Sequence, residues 1–595
     1  MKILNIYENV PLSKINENYS LVWCSRVKNK NNFFLSIYDI IDSNSKYLKK
    51  ALNDYLKKFF FQNKNFFFPT FNLKKDFSFI VLSNFIEKNP YKKNFNLDLT
   101  KKIALELFLK SNKFNKIIIH TDSKIFREKI NNILNKKNKT KSRLFLIRNY
   151  LKLNKFYIKN FIRIIIFGVK NINFKKKNNF KVNKKPIFFS FFSYTDKKKA
   201  MQGIYHSDYW KGFSKSSNKN WVHLYDPSFH YPNSKAVSSI IKNLNKKETN
   251  HFFIDDYMNI KVFLKTIFIF MKFYFFTSRL IMSKQFSKIL KKDLYLTNEN
   301  YSSFFEEFIS FNSFRNILFF FQFEKFFLNH KIKSDIFFCF ENQPWEKILL
   351  YFLKKNKHIK NSYGVIHSPI RFWDFRFINF ISKKKKILGY FNPDKILVNS
   401  PFVKKILVGN GFNKSQLIEV ETLRYTNLNK FKKKKNYKIS KKLNILFLSD
   451  YDDHLNEYFI EFINELKFDT KYSLSLKCHP LRPLNMSHTN LKIINDIKDV
   501  KKNIDLVIVG NKTAAAVDFY YKKLNLLIFV EPDDMDYSPL YKFTNYSTFS
   551  SIGDLKKILD TFYLKFKHNT QPNTKNKKYF IVDKKLPRWS KITSL

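Results

Sequence analysis

The chain has 595 residues, enough for two to four domains with cores of their own. Hydrophobic residues make up 44% of it and 71 residues are Phe, a globular composition that excludes a disordered chain. The 110 Lys and Arg exceed the 47 Asp and Glu by 63, but the lysines are spread along the whole chain, so the charge reads as compositional bias and solvated surface and says little about fold.

In chain order, the first apolar runs are Phe77-SFIVLS and Lys116-IIIH, read as strands flanking a helix near Thr100 to Leu109. Residues 125–185 read as mostly helical, and the Asn/Lys tract 170–185 as a linker, which sets a boundary near residue 184. Pro186-IFFSFFS opens a new unit as its first strand, followed by a mostly helical stretch over 235–330. Within it, Val262 to Met282 is long enough to cross a bilayer, but Lys265, Lys272 and Arg279 recur every seven residues on one side of a helix. An amphipathic helix packed on the protein or lying on an inner leaflet fits that pattern better than a span.

From residue 335 onward strands and helices alternate, as in a doubly wound sheet. Asp335-IFFCF is a strand, Pro344 starts a helix to Lys355, Tyr363-GVIH and Asp394-KILVNS are strands, and Pro401 starts a helix ended by Gly409-Asn410-Gly411. Leu417-IEVE is a further strand. The basic segment Lys430 to Lys442 separates it from strand Leu443-NILFLS, helix His454 to Leu466, and strands Tyr472-SLSLKC and Ile504-DLVIVG. A helix near Thr513 to Tyr521, strand Asn525-LLIFV and a helix near Ile552 to Phe566 complete the half-fold.

Five polar clusters sit at the ends of these strands, where open α/β sheets bind ligands. Lys477-Cys478-His479 and Arg482 combine an imidazole able to hydrogen-bond a leaving phosphate with two cations that stabilise its charge. Asn511-Lys512-Thr513 opens a helix whose free backbone N–H groups suit an anion; Glu531, beyond the next strand, is assigned to the same donor side. Glu341-Asn342-Gln343 offers a carboxylate as general base and two amides for acceptor hydroxyls. His367, Arg371, Trp373 and Asp374 lie in an aromatic and Arg-rich stretch suited to sugar stacking. The fifth, Asp450 to Asp453, reads as helix capping rather than a metal site. There is no GxGxxG, GxxxxGK[ST], CxxC pair or HExxH, and Cys24, Cys339 and Cys478 lie far apart. No cofactor and no metal are expected. Met1-Lys2-Ile3-Leu4-Asn5 lacks the apolar core of a secretion signal, so a cytoplasmic location is expected.

As a set, ENQPWE (341–346), HSPIRFWDFRF (367–377), the run from DKILVNSPF to LIEVETLRY (394–425), KCHPLRP (477–483) and TAAAVD (513–518) resemble a family of bacterial surface carbohydrate biosynthesis proteins. YHSDYWKGF (205–213) and NWVHLY (220–225) belong to the same resemblance, which covers roughly 200 to 550. It implies a GT-B-like fold, two Rossmann-like lobes facing a cleft. The His-Pro pair and the Thr-led helix are also similar to bacterial sialyltransferases and Kdo transferases, which use CMP-activated acidic sugars. That likeness implies a donor-phosphate contact for His479 and a phosphate contact for Thr513, and departs from the pattern at Ala514, where a second hydroxyl would stand.

The expectation is therefore an α/β protein with an N-terminal accessory region (1–183), a first, acceptor-side lobe (184–392) and a second, donor-side lobe with a tail (393–595). The expected activity is metal-independent, inverting glycosyl transfer from a nucleotide sugar to a growing surface polysaccharide or lipopolysaccharide. The expected partners are that donor, a glycan or lipid-linked glycan acceptor and an inner-leaflet membrane surface, with no nucleic acid. A sugar-nucleotide epimerase on the same fold and a basic nucleic-acid-binding protein are the rival readings, and a steep salt dependence of binding would mark the latter.

Overall fold

The structure, a computed structural model, describes residues 2–9, 19–27, 34–63, 71–83, 95–134, 143–172, 185–213, 219–226, 233–247, 251–284, 286, 300–356, 358–379, 389–426, 428, 442–479, 491–494, 504–567 and 578–593. The core of Lys430 to Lys442, most of the 170–185 tract, and Arg482 lie outside the described residues.

Three parallel sheets follow one another. The first holds β1 (Ile3–Tyr7), β2 (Tyr19–Val22), β3 (Phe34–Ser36) and, after the short antiparallel pair β4 (Asn72–Lys74) and β5 (Phe77–Ser78), β6 (Lys116–His120), in the order β3-β2-β1-β6. The second holds β7 (Ile187–Phe191), β8 (Asn220–Leu224), β9 (His251–Phe253), β10 (Ile336–Cys339), β11 (Ser362–Val365), β12 (Lys395–Val398) and β13 (Leu417–Glu419), in the order β13-β12-β11-β10-β7-β8-β9. The third holds β14 (Leu443–Leu448), β15 (Tyr472–Lys477), β16 (Lys492–Ile493), β17 (Leu506–Gly510), β18 (Asn525–Phe529) and β19 (Ser547–Phe549), in the order β16-β15-β14-β17-β18-β19.

In each sheet the chain winds outward from its first strand, returns, and continues on the other side. That is the doubly wound, Rossmann-like order. Two such lobes, β7–β13 and β14–β19, make a GT-B-like α/β fold. The central strands are apolar throughout because parallel strands are covered on both faces: β10 and β17 are buried at every position.

The domain borders differ from the expected ones. β12 hydrogen-bonds to β11 and β13 to β12, completing the first-lobe sheet, so that lobe runs past residue 392. Only a hydrogen-bond ladder reveals which sheet a buried strand joins. The helix Arg143–Asn171, expected in the accessory region, packs on the first lobe: Asn171 Oδ1 accepts from Ser234 Oγ at 2.8 Å, Asn160 Oδ1 accepts from Phe311 N–H at 3.0 Å, and Phe167 meets Phe314 edge-on. The C-terminal tail returns to the first lobe, where buried Trp589 donates to the Glu421 carbonyl at 2.8 Å and Ile581 N–H to Asn399 at 2.9 Å. The run 77–83 is strand only at Phe77–Ser78 and then a 3-10 turn over Phe79–Leu82. The hydroxyls of Ser78 and Ser83 bond to Ile80's backbone, which substitutes for a ladder.

The N-terminal region touches the second lobe. Arg26 N–H donates to the Pro532 carbonyl at 3.0 Å and its guanidinium to the Asp534 carbonyl at 3.2 Å, while Arg26 Nη1 pairs with Asp42 at 2.7 Å. On the first lobe, Tyr351 donates to Asp76 at 2.7 Å. Among the described residues no helix is long and apolar enough to cross a membrane.

Candidate functional site

A doubly wound sheet opens a crevice at the carboxyl ends of its strands, where the strand order reverses. In the first lobe the reversal falls between β7 and β10, so the turn Phe192–Tyr194 and residues 340–343 flank it. In the second it falls between β14 and β17, beside residues 449–452 and 511–513.

Glu341 stands at the first reversal. Its carboxylate accepts from Gln343 Nε2 at 2.6 Å and lies 3.2 Å from His367 Nε2 and 3.4 Å from Arg376 Nη1. Burial pushes its pKa up, but the His367 hydrogen bond and the Arg376 charge outweigh this and hold it at about 2. A carboxylate that acidic is a weak proton acceptor, which tells against the general-base duty expected of it. His367, just beyond β11, turns Nε2 to Glu341, and its buried Nδ1 has no hydrogen-bond partner among the described residues. Tyr209 lies against this imidazole at 4.5 Å, stacked in turn on Tyr194 at 4.0 Å, with the Arg424 guanidinium 5.2 Å from the Tyr209 ring.

The rest of the expected acceptor set is spent on building this edge. Asn342 is buried at a positive φ of 64°, and its amide donates to the Arg376 carbonyl. The Glu346 carboxylate accepts the N–H groups of Glu341 at 2.9 Å and Asn342 at 2.8 Å, fixing the turn. Gln343 is held between Glu341 and Trp345 Nε1 at 2.9 Å. Asp374 is fully buried in a two-toothed pair with Arg376 at 2.9 and 2.7 Å, and Trp373 is fully buried in the core. Asn342, Trp373 and Asp374 therefore support the site from below rather than face an acceptor. Arg371 does face the second lobe, donating to the Lys512 carbonyl.

In the second lobe, His479 follows β15, and its N–H donates to Ser449 Oγ, beyond neighbouring β14, at 2.6 Å. Lys477 ends β15, its ammonium 3.3 Å from the Cys478 carbonyl. On the other side of β14 stands the turn after β17, where Thr513 Oγ1 accepts from Ala515 N–H at 3.3 Å. Asp450 occupies the space between. Its Oδ1 accepts from Tyr451 N–H at 2.7 Å, while its buried Oδ2 has no partner among the described residues and lies 3.3 Å from where a Cβ on Gly510 would be. Burial raises its pKa, against the opposing charges of Arg371 and His479. His479 and Thr513 thus flank Asp450 on one edge.

Lys512 and Glu531 do not fit the donor duty expected of them. The Lys512 ammonium lies 2.6 Å from Glu531, 3.1 Å from Asp534 and 3.3 Å from Asp452, and Glu531 also meets His454 Nδ1 at 3.1 Å. With three carboxylates around it, this cation carries no surplus charge for a phosphate. Asn511 is fully buried and donates to the Met535 carbonyl at 3.0 Å. Asp452 caps the helix Asp453–Leu466 through His454 N–H, as capping predicts.

Three residues of this edge carried no separate signal. Tyr209 lies in the turn Asp208–Trp210. Arg424 lies inside the LRY stretch. Asp518 ends TAAAVD, with burial raising its pKa to about 6 against the nearby charge of Arg424. For Asp450 the signal existed: it follows the first strand of the second lobe, at the reversal.

The two lobes and their facing reversal points define a GT-B-like α/β protein. No protein-family model and no curated protein sequence matches the chain. Among solved structures it is similar to Anabaena HepE in complex with UDP and glucose, at 8% identity and TM-score 0.32 over 64% of this chain and 89% of that one. It is similar to the calicheamicin glycosyltransferase CalG4 at 6% identity and TM-score 0.34, covering 64% and 90%. Likewise it is similar to a UDP-N-acetylglucosamine 2-epimerase from Rickettsia bellii at 10% identity and TM-score 0.33, covering 65% and 90%.

Proposed function

We propose that the chain is a glycosyltransferase that moves a sugar from a nucleotide-activated donor to a glycan or lipid-linked glycan acceptor of a bacterial surface polysaccharide. The observation that carries this reading is the pairing of two sheet reversals, one bearing the Glu341–His367 pair and the other His479 and Thr513 on either side of Asp450. The donor's nucleotide and phosphate lie along the second-lobe edge, and the acceptor lies on the first, against Tyr209.

In the inverting reaction the acceptor oxygen attacks the anomeric carbon while the bond from that carbon to the phosphate oxygen breaks. His367 Nδ1 takes the acceptor proton, since Nε2 is committed to Glu341. Glu341 holds the tautomer and balances the imidazolium that forms, as a positioning residue. His479 hydrogen-bonds the departing phosphate, and the nucleotide leaves with the electron pair.

Thermal-shift screening against CMP-, UDP-, GDP- and dTDP-sugars finds the donor, because a ligand selective for the folded state raises its melting temperature. With that donor, His367→Ala and His479→Ala are each expected to lower kcat by roughly 100-fold or more, and Glu341→Gln by roughly tenfold or more, with folding unchanged. Full transfer by His479→Ala would falsify the mechanism. A nucleotide sugar altered with no acceptor present would establish the epimerase instead.

A further inference from the structure

Two long helices of the first lobe carry an apolar surface that the fold leaves uncovered. Arg143–Asn171 and Ile260–Met282 pack antiparallel: Tyr157 stacks on Tyr274 at 3.8 Å, and Gly168 approaches Phe263 so closely that an added Cβ would lie 2.2 Å from its ring. Each helix buries one apolar face, through Leu153, Ile164 and Phe167 on the first and Phe263, Phe270 and Phe273 on the second.

Each also has a second apolar stripe in solvent. On the first helix Leu144, Leu151, Ile158 and Ile165 recur every seven residues, with Val169 in the same row; Leu144 is 75% and Val169 74% exposed. On the second, Ile260, Leu264, Phe268, Met271 and Phe275 recur every three or four, with Phe268 at 69%. Beside each stripe runs a row of exposed cations: Arg148, Lys152, Lys159 and Arg163 on one helix, and Lys261, Lys272 and Arg279 on the other, where Lys265 in the same row pairs with Glu324 at 3.2 Å. At 100° per residue the apolar stripes fall next to the helix–helix seam and the cation rows on their outer flanks. The two helices hold seven and four basic residues and no Asp or Glu. A cavity of about 740 Å³ opens along the seam between Tyr150, Phe268, Phe275 and Met282, with Lys272 and Arg279 in its wall.

We infer that this two-helix face docks on an anionic phospholipid bilayer, the apolar seam entering the acyl boundary and the flanking cations meeting headgroup phosphates. The seam cavity takes one lipid, its phosphate at Lys272 and Arg279 and its first acyl carbons against Phe268 and Phe275. The charge pattern selects this occupant. A nucleic acid would meet isoleucine along the centre of the face, where it needs cations. A second copy of the face would oppose cations with cations. Neither helix spans a bilayer, and each lies lengthwise, the first over roughly 43 Å at 1.5 Å per residue. This inference stands independently of the sugar-transfer reading.

The test is flotation of the full chain with phosphatidylcholine vesicles and with vesicles containing about 30% phosphatidylglycerol, a surface charge of the cytoplasmic-leaflet kind. Expected is binding to the anionic vesicles that weakens with salt, and little to the neutral ones. Ile158→Glu with Phe268→Glu is expected to lower that binding by about tenfold or more at an unchanged melting temperature, since both side chains are exposed. Lys159→Gln with Arg279→Gln is expected to remove the preference for anionic lipid. Equal binding to both vesicle types, binding indifferent to the Glu pair, or a lipid-free dimer split by the Glu pair would each overturn the inference.

Discussion

At the scale of single residues, identity in the sequence and duty in the fold separate most clearly among the charged groups. Lys512 and Glu531 are a cation and an anion at strand ends, yet each finds its partner in the other, 2.6 Å away. A sequence shows which charges exist, not which are already neutralised. Asp518 carries a different consequence. Its pKa is raised from 3.8 to about 6 because burial disfavours the charged form, and its Oδ1 has no partner among the described residues. A group whose pKa rises on folding stabilises fully below its unfolded pKa and loses that contribution as pH climbs through the folded one. The interval is about pH 4 to 6, and the gap between 3.8 and about 6 bounds the effect at about 3 kcal/mol. Asp518→Asn is therefore expected to raise the melting temperature at pH 8 and to leave it unchanged near pH 3.5. Paired thermal melts at the two pH values check it, and an equal shift at both would contradict the assigned cause.

At the scale of elements, the strands that could be read are those with a short apolar run between polar, Pro or Gly residues. β10, β12, β14, β17 and β18 are mostly apolar, β11 (SYGV) and β15 (YSLSLK) less so, and their order along the chain already implied a doubly wound sheet. β8 has His223 and Asn220 within a fully buried run, and β9 has three residues, so neither gives a periodic signal. The site was legible to the same extent. His479, Thr513, Glu341 and His367 each follow an apolar strand, whereas Tyr209 and Arg424 meet only through the fold. Gly510 shows how an element sets a site. It closes β17 where the helix Asp453–Leu466 comes nearest: a Cβ there would lie 2.7 Å from Leu455 Cδ1 and 3.3 Å from Asp450 Oδ2. Gly510→Ala must displace the buried Leu455 side chain, and presses on the Asp450 carboxylate. The expected cost is about 1–3 kcal/mol, as for other overpacked sites, with donor affinity falling alongside. Urea unfolding and a donor titration measure the two, and a variant with wild-type stability would show that the contact yields freely.

At the scale of the whole molecule, three α/β units are tied together by segments that leave one and return to another. The tail seats Trp589 on the first lobe, Arg371 crosses to the second, and Arg26 joins the N-terminal sheet to the 532–534 turn. These crossings connect residues 141 to 508 positions apart, so composition and periodicity carry no trace of them. They also decide where the chain can be cut. A cut at 184 looks natural in the sequence, but it discards Arg143–Asn171, whose Leu153, Ile164 and Phe167 are buried and whose Asn160 and Asn171 cap hydrogen bonds on the first lobe. Removing that helix takes Tyr157 and Phe167 away from Phe270 and Phe314, the core rings they pack against. A chain starting at residue 143 keeps the helix but loses, besides the N-terminal sheet and Arg26, the segment 71–83, whose Phe71, Phe77 and Phe79 pack on Phe273, Phe308 and Phe320 of the first lobe. Starting at 185 is expected to give aggregated protein without a cooperative melt. Starting at 143 is expected to give a cooperative melt at a temperature below that of the full chain. If both truncations melt alike, the helix belongs to the accessory region after all, and the first lobe is closed without it.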